Sequence, residues 1–167
     1  EVIFTVLHAG GKFEQGSYKT AGGLHGVGAS VVNALSRELI ATVRRDGQQY
    51  EMRFKQGKPA GPLKKLGSAR GTGTTVYFHP DPSIFPKIEF DPAIIRDRLE
   101  VASYLHGGVK VVFDDETTGA RTVFQHEAGL VEYVTKIVRD RTARPIHETP
   151  FVLQKDNGVK AEVVLQW

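Results

Sequence analysis

The stretch Gly22-Gly23-Leu24-His25-Gly26-Val27-Gly28 runs directly into the apolar, helix-length segment Ala29-Ser30-Val31-Val32-Asn33-Ala34-Leu35, and it constrains this chain more than any other. Glycines at 22, 23, 26 and 28 let the backbone take positive φ and bring bare N–H groups within reach of a ligand. The first turn of the following helix leaves further N–H groups unsatisfied and carries a partial positive charge. Together these are the chemistry of a phosphate cradle. The plainer reading is a glycine-rich turn that feeds a buried helix, and the surrounding sequence has to decide between them.

Two familiar phosphate motifs do not fit. Gly23 and Gly28 have the spacing of a P-loop and Ser30 stands in the place of its hydroxyl residue, but Ala29 occupies the position of the obligatory lysine. The order of the glycines is also wrong for the dinucleotide fingerprint, which needs two residues between its second and third glycines and a strand immediately upstream, where no clear strand pattern lies. Upstream lies a second glycine-rich segment, Ala9-Gly10-Gly11-Lys12-Phe13-Glu14-Gln15-Gly16-Ser17-Tyr18-Lys19-Thr20-Ala21, whose composition predicts a mobile flap. Tyr18, between Lys12 and Lys19, could lay its ring or hydroxyl against a nucleotide, or belong to a solvent-facing loop.

The chain has 167 residues, 40% of them hydrophobic and 25% charged, enough to bury a sizeable core in one domain or slightly more. It has no cysteine, which excludes disulfides, thiolate nucleophiles and Cys-ligated zinc. The six histidines, at 8, 25, 79, 106, 126 and 147, show no metal-ligand spacing. No apolar run reaches transmembrane length and no signal peptide is visible. The net charge of +3 permits a nucleic-acid partner without requiring one. A start at Glu1 inside a helical pattern and an end at Trp167 inside a strand pattern read as a piece of something longer.

Val2, Ile3, Val6 and Leu7 predict one face of an opening helix that Gly10-Gly11 ends, with His8 as a C-terminal cap or partly buried imidazole. After Ser36, Leu39–Arg45 and Gln48–Phe54 read as strands joined at Asp46-Gly47, the preferred two-residue hairpin pair, with Tyr50, Met52 and Phe54 on the buried face. Thr74 to Phe78 predicts another strand, where Thr74 reflects β-propensity or offers its hydroxyl to a ligand. Asp91-Pro92 opens a helix with an apolar stripe at Ile94, Ile95, Leu99, Ala102 and Leu105 and a stop at Gly107. A second hairpin over Val109–Phe124 and a helix carrying Leu130, Tyr133, Val134, Ile137 and Val138 follow. Its basic continuation, Lys136 to Pro145, suits a solvated helix end or a nucleic-acid contact. Residues 141–150 read as a linker between an α/β layer over 1–140 and the first strands of a second domain over 151–167.

Residues Glu1–Ser36, with Leu7-His8-Ala9-Gly10-Gly11-Lys12-Phe13, Ser17-Tyr18-Lys19 and Gly22–Ser36, resemble the ATP lid and glycine-rich motif of the B subunits of bacterial type IIA topoisomerases, a family that includes those of DNA gyrase and topoisomerase IV. The similarity runs on through Arg45-Asp46-Gly47, Thr72-Gly73-Thr74, Leu99–Leu105 and Leu165-Gln166-Trp167. It implies the GHKL-type ATPase fold shared with the Hsp90 chaperone, the MutL repair protein and sensor histidine kinases: an α/β two-layer sandwich on a mixed, largely antiparallel sheet, followed by the start of a transducer domain. Lys12 and Tyr18 would belong to the lid, Gly23, Leu24, His25, Gly26, Val27 and Gly28 would wrap the phosphates, Thr74 would floor the adenine pocket, and Arg45 would guard the edge where coumarin-type and related inhibitors bind. The resemblance further implies ATP and Mg²⁺ as cofactors. It implies a homodimeric contact, a topoisomerase A subunit and DNA as partners, no membrane, and a bacterial cytoplasmic, nucleoid-associated setting. The function it implies is the ATP-hydrolysing module that gates passage of one DNA duplex through another, for supercoiling or decatenation. A non-catalytic nucleotide-dependent dimer clamp, chaperone-like or repair-like, is the alternative, and a small basic DNA-binding domain would leave the glycines unexplained.

In that family the glutamate base, the magnesium-holding asparagine and the adenine-reading aspartate lie upstream of Glu1, and a lysine loop that reaches the terminal phosphate lies beyond Trp167. No catalytic or metal-ligating residue is therefore assigned within 1–167. Each exposed helix-terminus interaction contributes roughly 0.3–1 kcal/mol, against the ~8 kcal/mol that micromolar affinity requires. A polypeptide of these 167 residues alone is expected neither to hydrolyse ATP nor to hold it tightly. Incubation with Mg²⁺ and ATP checks this: phosphate release should not exceed that of a Gly28→Val control.

Overall fold

The computed structural model describes residues 1–9, 25–158 and 160–167. The expectations for Gly10-Gly11 and the flap therefore fall outside the described residues. The chain divides into two compact units, Glu1–Glu89 and Phe90–Trp167.

The first unit is organised on β1 (Ser36–Arg45), flanked by β2 (Gln48–Lys55) and β5 (Gly73–Pro80), with the short β3 (Lys58–Pro59) and β4 (Lys64–Ser68) also paired to β2. Every described pairing is antiparallel. Asp46 and Gly47 have φ of 52° and 71°, the two left-handed conformations of a type I′ turn, which suits the twist of the strands it joins. That turn sets Leu39 opposite Phe54 and Ala41 opposite Met52. The four side chains share a face and form the buried core of the unit. Phe4 closes over them, its ring centroid 5.3 Å from that of Phe54.

Phe4 belongs to α1 (Val2–Thr5), shorter than the sequence pattern implies. The chain is already extended at Val6, and Val2, Ile3, Val6 and Leu7 are exposed rather than forming the packed face. Val2, Ile3, Thr5 and Val6 are β-branched and lose side-chain freedom in a helix, so a single turn anchored by one aromatic ring is what persists. A similar correction applies to α2 (Gly28–Ala34): its buried residues are Ser30 and Asn33, while Val31 and Val32 are exposed. The polar face turns inward because its groups find main-chain partners. Ser30 Oγ donates to the Val27 carbonyl at 3.0 Å, and Asn33 Nδ2 donates to the Phe4 carbonyl at 2.9 Å.

In the second unit α3 (Pro92–Leu105) starts as expected, with Asp91 accepting the Ala93 N–H at 2.8 Å and proline in the first turn. Its fully buried residues are Ser103 and Tyr104; of the predicted stripe Ile95, Leu99 and Ala102 are half-buried, whereas Ile94 and Leu105 at its edges are exposed. The large ring of Tyr104 stacks with His126 and with Tyr133, at 3.6 and 5.1 Å between centroids. The hairpin β6 (Val111–Asp115) and β7 (Ala120–Phe124), the helix α4 (Leu130–Asp140) and the hairpin β8 (Phe151–Asp156) and β9 (Lys160–Leu165) complete the unit. Residues 141–150 hold neither helix nor strand, and Ile146 donates its N–H to the Trp167 carbonyl at 2.8 Å.

Asp81 ties the end of β5 to the start of β1 and the end of β2. It is 3% exposed and its carboxylate accepts from Gln56 Nε2 at 2.5 Å and from the Ser83 N–H and Oγ at 2.9 and 2.7 Å. Its own N–H donates to the Leu35 carbonyl at 2.9 Å. The hydrogen bond from Gln56, then those from Ser83, outweigh desolvation and hold this carboxyl at about 2. Because the folded value lies below the unfolded one, its stabilisation is full above the ordinary carboxylate range and lost as pH falls from about 4 towards 2. Asp81→Asn is expected to lower the urea midpoint at pH 7, with the gap from the parent protein closing towards pH 2, as denaturation at pH 7, 4 and 2.5 would show.

Candidate functional site

The described part of the glycine loop makes one sharp change of direction. Gly26 sits at φ 63°, a left-handed conformation that costs an L side chain roughly 1–2 kcal/mol, and Val27 follows as the N-cap of α2. The helix uses the Val27 carbonyl for its first bond, from the Val31 N–H at 2.9 Å, but among the described residues no side chain caps the N–H groups of its first turn. Those donors remain available to an anion. His25 and Gly28 are exposed, and a Cβ built on Gly28 meets no atom of the described residues within 4 Å. Of the residues singled out from the sequence, His25, Gly26, Val27 and Gly28 thus form one continuous surface; Lys12, Tyr18, Gly23 and Leu24 lie outside the described residues.

Thr74 and Arg45 lie elsewhere on the sheet. Thr74 on β5 pairs with Val43, two residues before Arg45 on β1, and the alternation of side chains puts Thr74, Val43 and Arg45 on one face, which continues the face of Leu39 and Ala41. Arg45 is largely exposed and pairs loosely with Asp46 at 3.4 Å. An ion pair between neighbours on a turn contributes little and leaves the guanidinium free to reorient. Since α2 leads into Ser36, the glycine loop reaches the sheet at the start of β1, whereas Thr74 and Arg45 mark its far end.

Sequence reasoning overlooked three features. His8, considered as a cap, donates instead across to the His25 carbonyl, with Nδ1 at 2.8 Å. Asn33, read as one position in an apolar helix, is fully buried, and its Oδ1 has no partner among the described residues. In the second unit a cavity of about 350 Å³ is lined by Tyr104, His126, Glu132 and Lys136 among others. There His126 Nδ1 lies 2.9 Å from Glu132 Oε2, and the Ala128 N–H followed by His126 holds the Glu132 carboxyl below its usual range. Burial pushes the Tyr104 phenol up. The Asn of a helical Val-Val-Asn is the kind of signal that could have revealed the second feature; the first and third depend on contacts between distant segments. Lys136 and Arg139, in the stretch considered for nucleic-acid contact, pair with Asp140 at 2.9 and 3.4 Å, as a solvated helix end does.

Among the described residues no group of three or more His, Asp or Glu could hold a metal ion, and no helix is long and apolar enough to cross a membrane. No protein-family model matches the chain. It is 50% identical over 143 residues to the B subunit of DNA gyrase from Thermotoga maritima, across 86% of this chain and 22% of that protein. It is 45% identical over 168 residues to the B subunit of DNA topoisomerase 4 from Mycoplasma genitalium, across 100% of this chain and 26% of that protein. Among solved structures it matches the 43K ATPase domain of Thermus thermophilus gyrase B, in complex with an aminocoumarin, with a TM-score of 0.79 and 36% identity over 98% of this chain and 40% of that one. The chain spans about a quarter of the length of the curated relatives it matches. Its fold is the GHKL-type α/β ATPase fold that the sequence led us to expect.

Proposed function

Because the chain belongs to the family of bacterial type IIA topoisomerase B subunits, we propose that it is part of the ATP-binding and ATP-hydrolysing module of such a protein. Binding of ATP would close the lid that carries Lys12 and Tyr18 and bring two copies together as a gate, with hydrolysis resetting it. The enzyme, working with an A subunit on DNA in the bacterial cytoplasm, would pass one duplex through another. Residues 1–140 would form the ATPase domain and 141–150 its link to a transducer domain that begins at 151.

The observation that carries this reading is the loop at Gly26–Gly28, a left-handed glycine followed by a helix start whose N–H groups have no side-chain cap, and where a Cβ on Gly28 would meet no atom within 4 Å, among the described residues. Backbone donors at Gly26, Val27 and Gly28 suit the terminal phosphates of a nucleotide, because they offset negative charge without a side chain that must be ordered first. Thr74 would accept from or donate to the adenine, directly or through water, and Arg45 would lie over the pocket's outer edge, where coumarin-type inhibitors would also meet it. The described residues include no cluster fit to hold the Mg²⁺ that the family implies.

Gly28→Val tests the cradle. A Cβ there meets none of the described residues but would occupy the space of a phosphate oxygen, so ATP affinity in a full-length protein carrying this chain is expected to fall at least about a hundredfold with little change in melting temperature. Gly26→Ala, by contrast, should cost stability as well, roughly 1–2 kcal/mol, because it forces a side chain to φ near 63°. Calorimetric titration with ATP, together with thermal melts, separates the two effects. Unchanged ATP affinity in Gly28→Val would overturn the assignment.

A further inference from the structure

His8 follows the end of α1 in a left-handed conformation, φ 59°, and its Nδ1 reaches the main-chain oxygen of His25 at 2.8 Å. A carbonyl can only accept, so Nδ1 carries the proton and donates. This bond spans seventeen positions of sequence and joins the residues immediately before 10–24 to those immediately after. A second bond holds the same two segments in register: Asn33 Nδ2, on a fully buried side chain of α2, donates to the Phe4 carbonyl of α1 at 2.9 Å. The buried bond fixes where α1 lies against α2, and the exposed one acts from that fixed base on the loop.

The oxygen that His8 holds belongs to the peptide unit between His25 and Gly26. A trans peptide is planar, with its C=O and N–H pointing in opposite directions. Drawing the His25 oxygen towards His8 therefore directs the Gly26 N–H away from it, and Gly26 then turns at φ 63° into the N-cap of α2. Glycine on one side of that unit leaves it otherwise free to rotate.

We propose that His8 is a positioning residue for the phosphate-binding loop: its Nδ1–H holds the His25–Gly26 peptide plane so that the Gly26 N–H is presented as a donor to a nucleotide phosphate. This rests on the reading of Gly26–Gly28 as the phosphate cradle. His8 touches no phosphate itself. Without it the plane can turn, the carbonyl oxygen can face the anion, and one donor of the cradle is lost.

Two substitutions isolate the bond from the backbone strain of the site. His8→Gly keeps the left-handed conformation and removes the donor; His8→Asn keeps both, because asparagine tolerates that conformation and its Nδ2 can donate where Nδ1 did. In a full-length protein carrying this chain, His8→Gly is expected to weaken ATP binding about tenfold, the scale of one hydrogen bond, and to raise KM for ATP with kcat little changed. Adenosine, which has no phosphate, should bind as to the parent protein, and His8→Asn should restore ATP affinity to within about twofold. Parent-like ATP affinity in His8→Gly, equal losses for ATP and adenosine, or failure of His8→Asn to rescue would each overturn the role of His8. Gly28→Val run alongside separates the two levels: if it binds ATP normally, the cradle itself is wrong, whereas if it fails to bind while His8→Gly binds normally, only the positioning role falls.

Discussion

The first unit depends on the register between β1 and β2. Asp46 and Gly47 both take positive φ, and the resulting turn leaves one alignment in which Leu39 faces Phe54 and Ala41 faces Met52. A slip by a single residue would carry all four side chains to the opposite face and leave Phe4 with nothing to pack on. Both halves of the candidate site hang from the strand so fixed. Its first residue, Ser36, receives α2 and the glycine loop, and its last ones, beside β5, place Arg45 and Thr74.

Around that core the joints between elements are made by buried polar groups. Asn33, Ser36 and Asp81 are each less than a tenth exposed, and each binds main chain or a side chain beyond its own element. Such groups are costly to bury unpaired but directional when paired, which suits positions where one element must meet another at a set angle. Asp81 shows the logic: its carboxylate and main chain together gather the residues following α2, β2 and β5. A core of four apolar side chains and one ring supplies cohesion, and these polar joints supply geometry.

Local signals in the sequence were legible where a residue type permits only one conformation. The Asp46-Gly47 turn, the Asp91-Pro92 helix start, the alternation of Met52 and Phe54, and the helix over Leu130–Asp140 all stand in the structure as their residues predict. Periodicity was a partial guide where distant contacts decide burial. On α3 the stripe holds at Ile95, Leu99 and Ala102, but Ile94 and Leu105 are exposed and the most buried large side chain is Tyr104, whose stacking on His126 and Tyr133 draws on segments more than twenty residues apart. The same limit hid the inward face of α2, since nothing local to Asn33 shows that the Phe4 carbonyl will meet it. In the candidate site the conformation of Gly26 was legible and the hydrogen bond from His8 to His25 was not, because the first is a property of one residue and the second of two distant ones.

The central claim is that backbone N–H groups at Gly26, Val27 and Gly28 bind phosphate. Amide NMR of a full-length protein carrying this chain, labelled at glycine and valine, tests it most directly by comparing titrations with ATP and with adenosine. The account predicts that the amide protons of Gly26, Val27 and Gly28 move downfield with ATP, as N–H groups do on donating to an anion, and stay in place with adenosine. Amide signals at these three positions that ignore ATP, or that respond equally to adenosine, would contradict it.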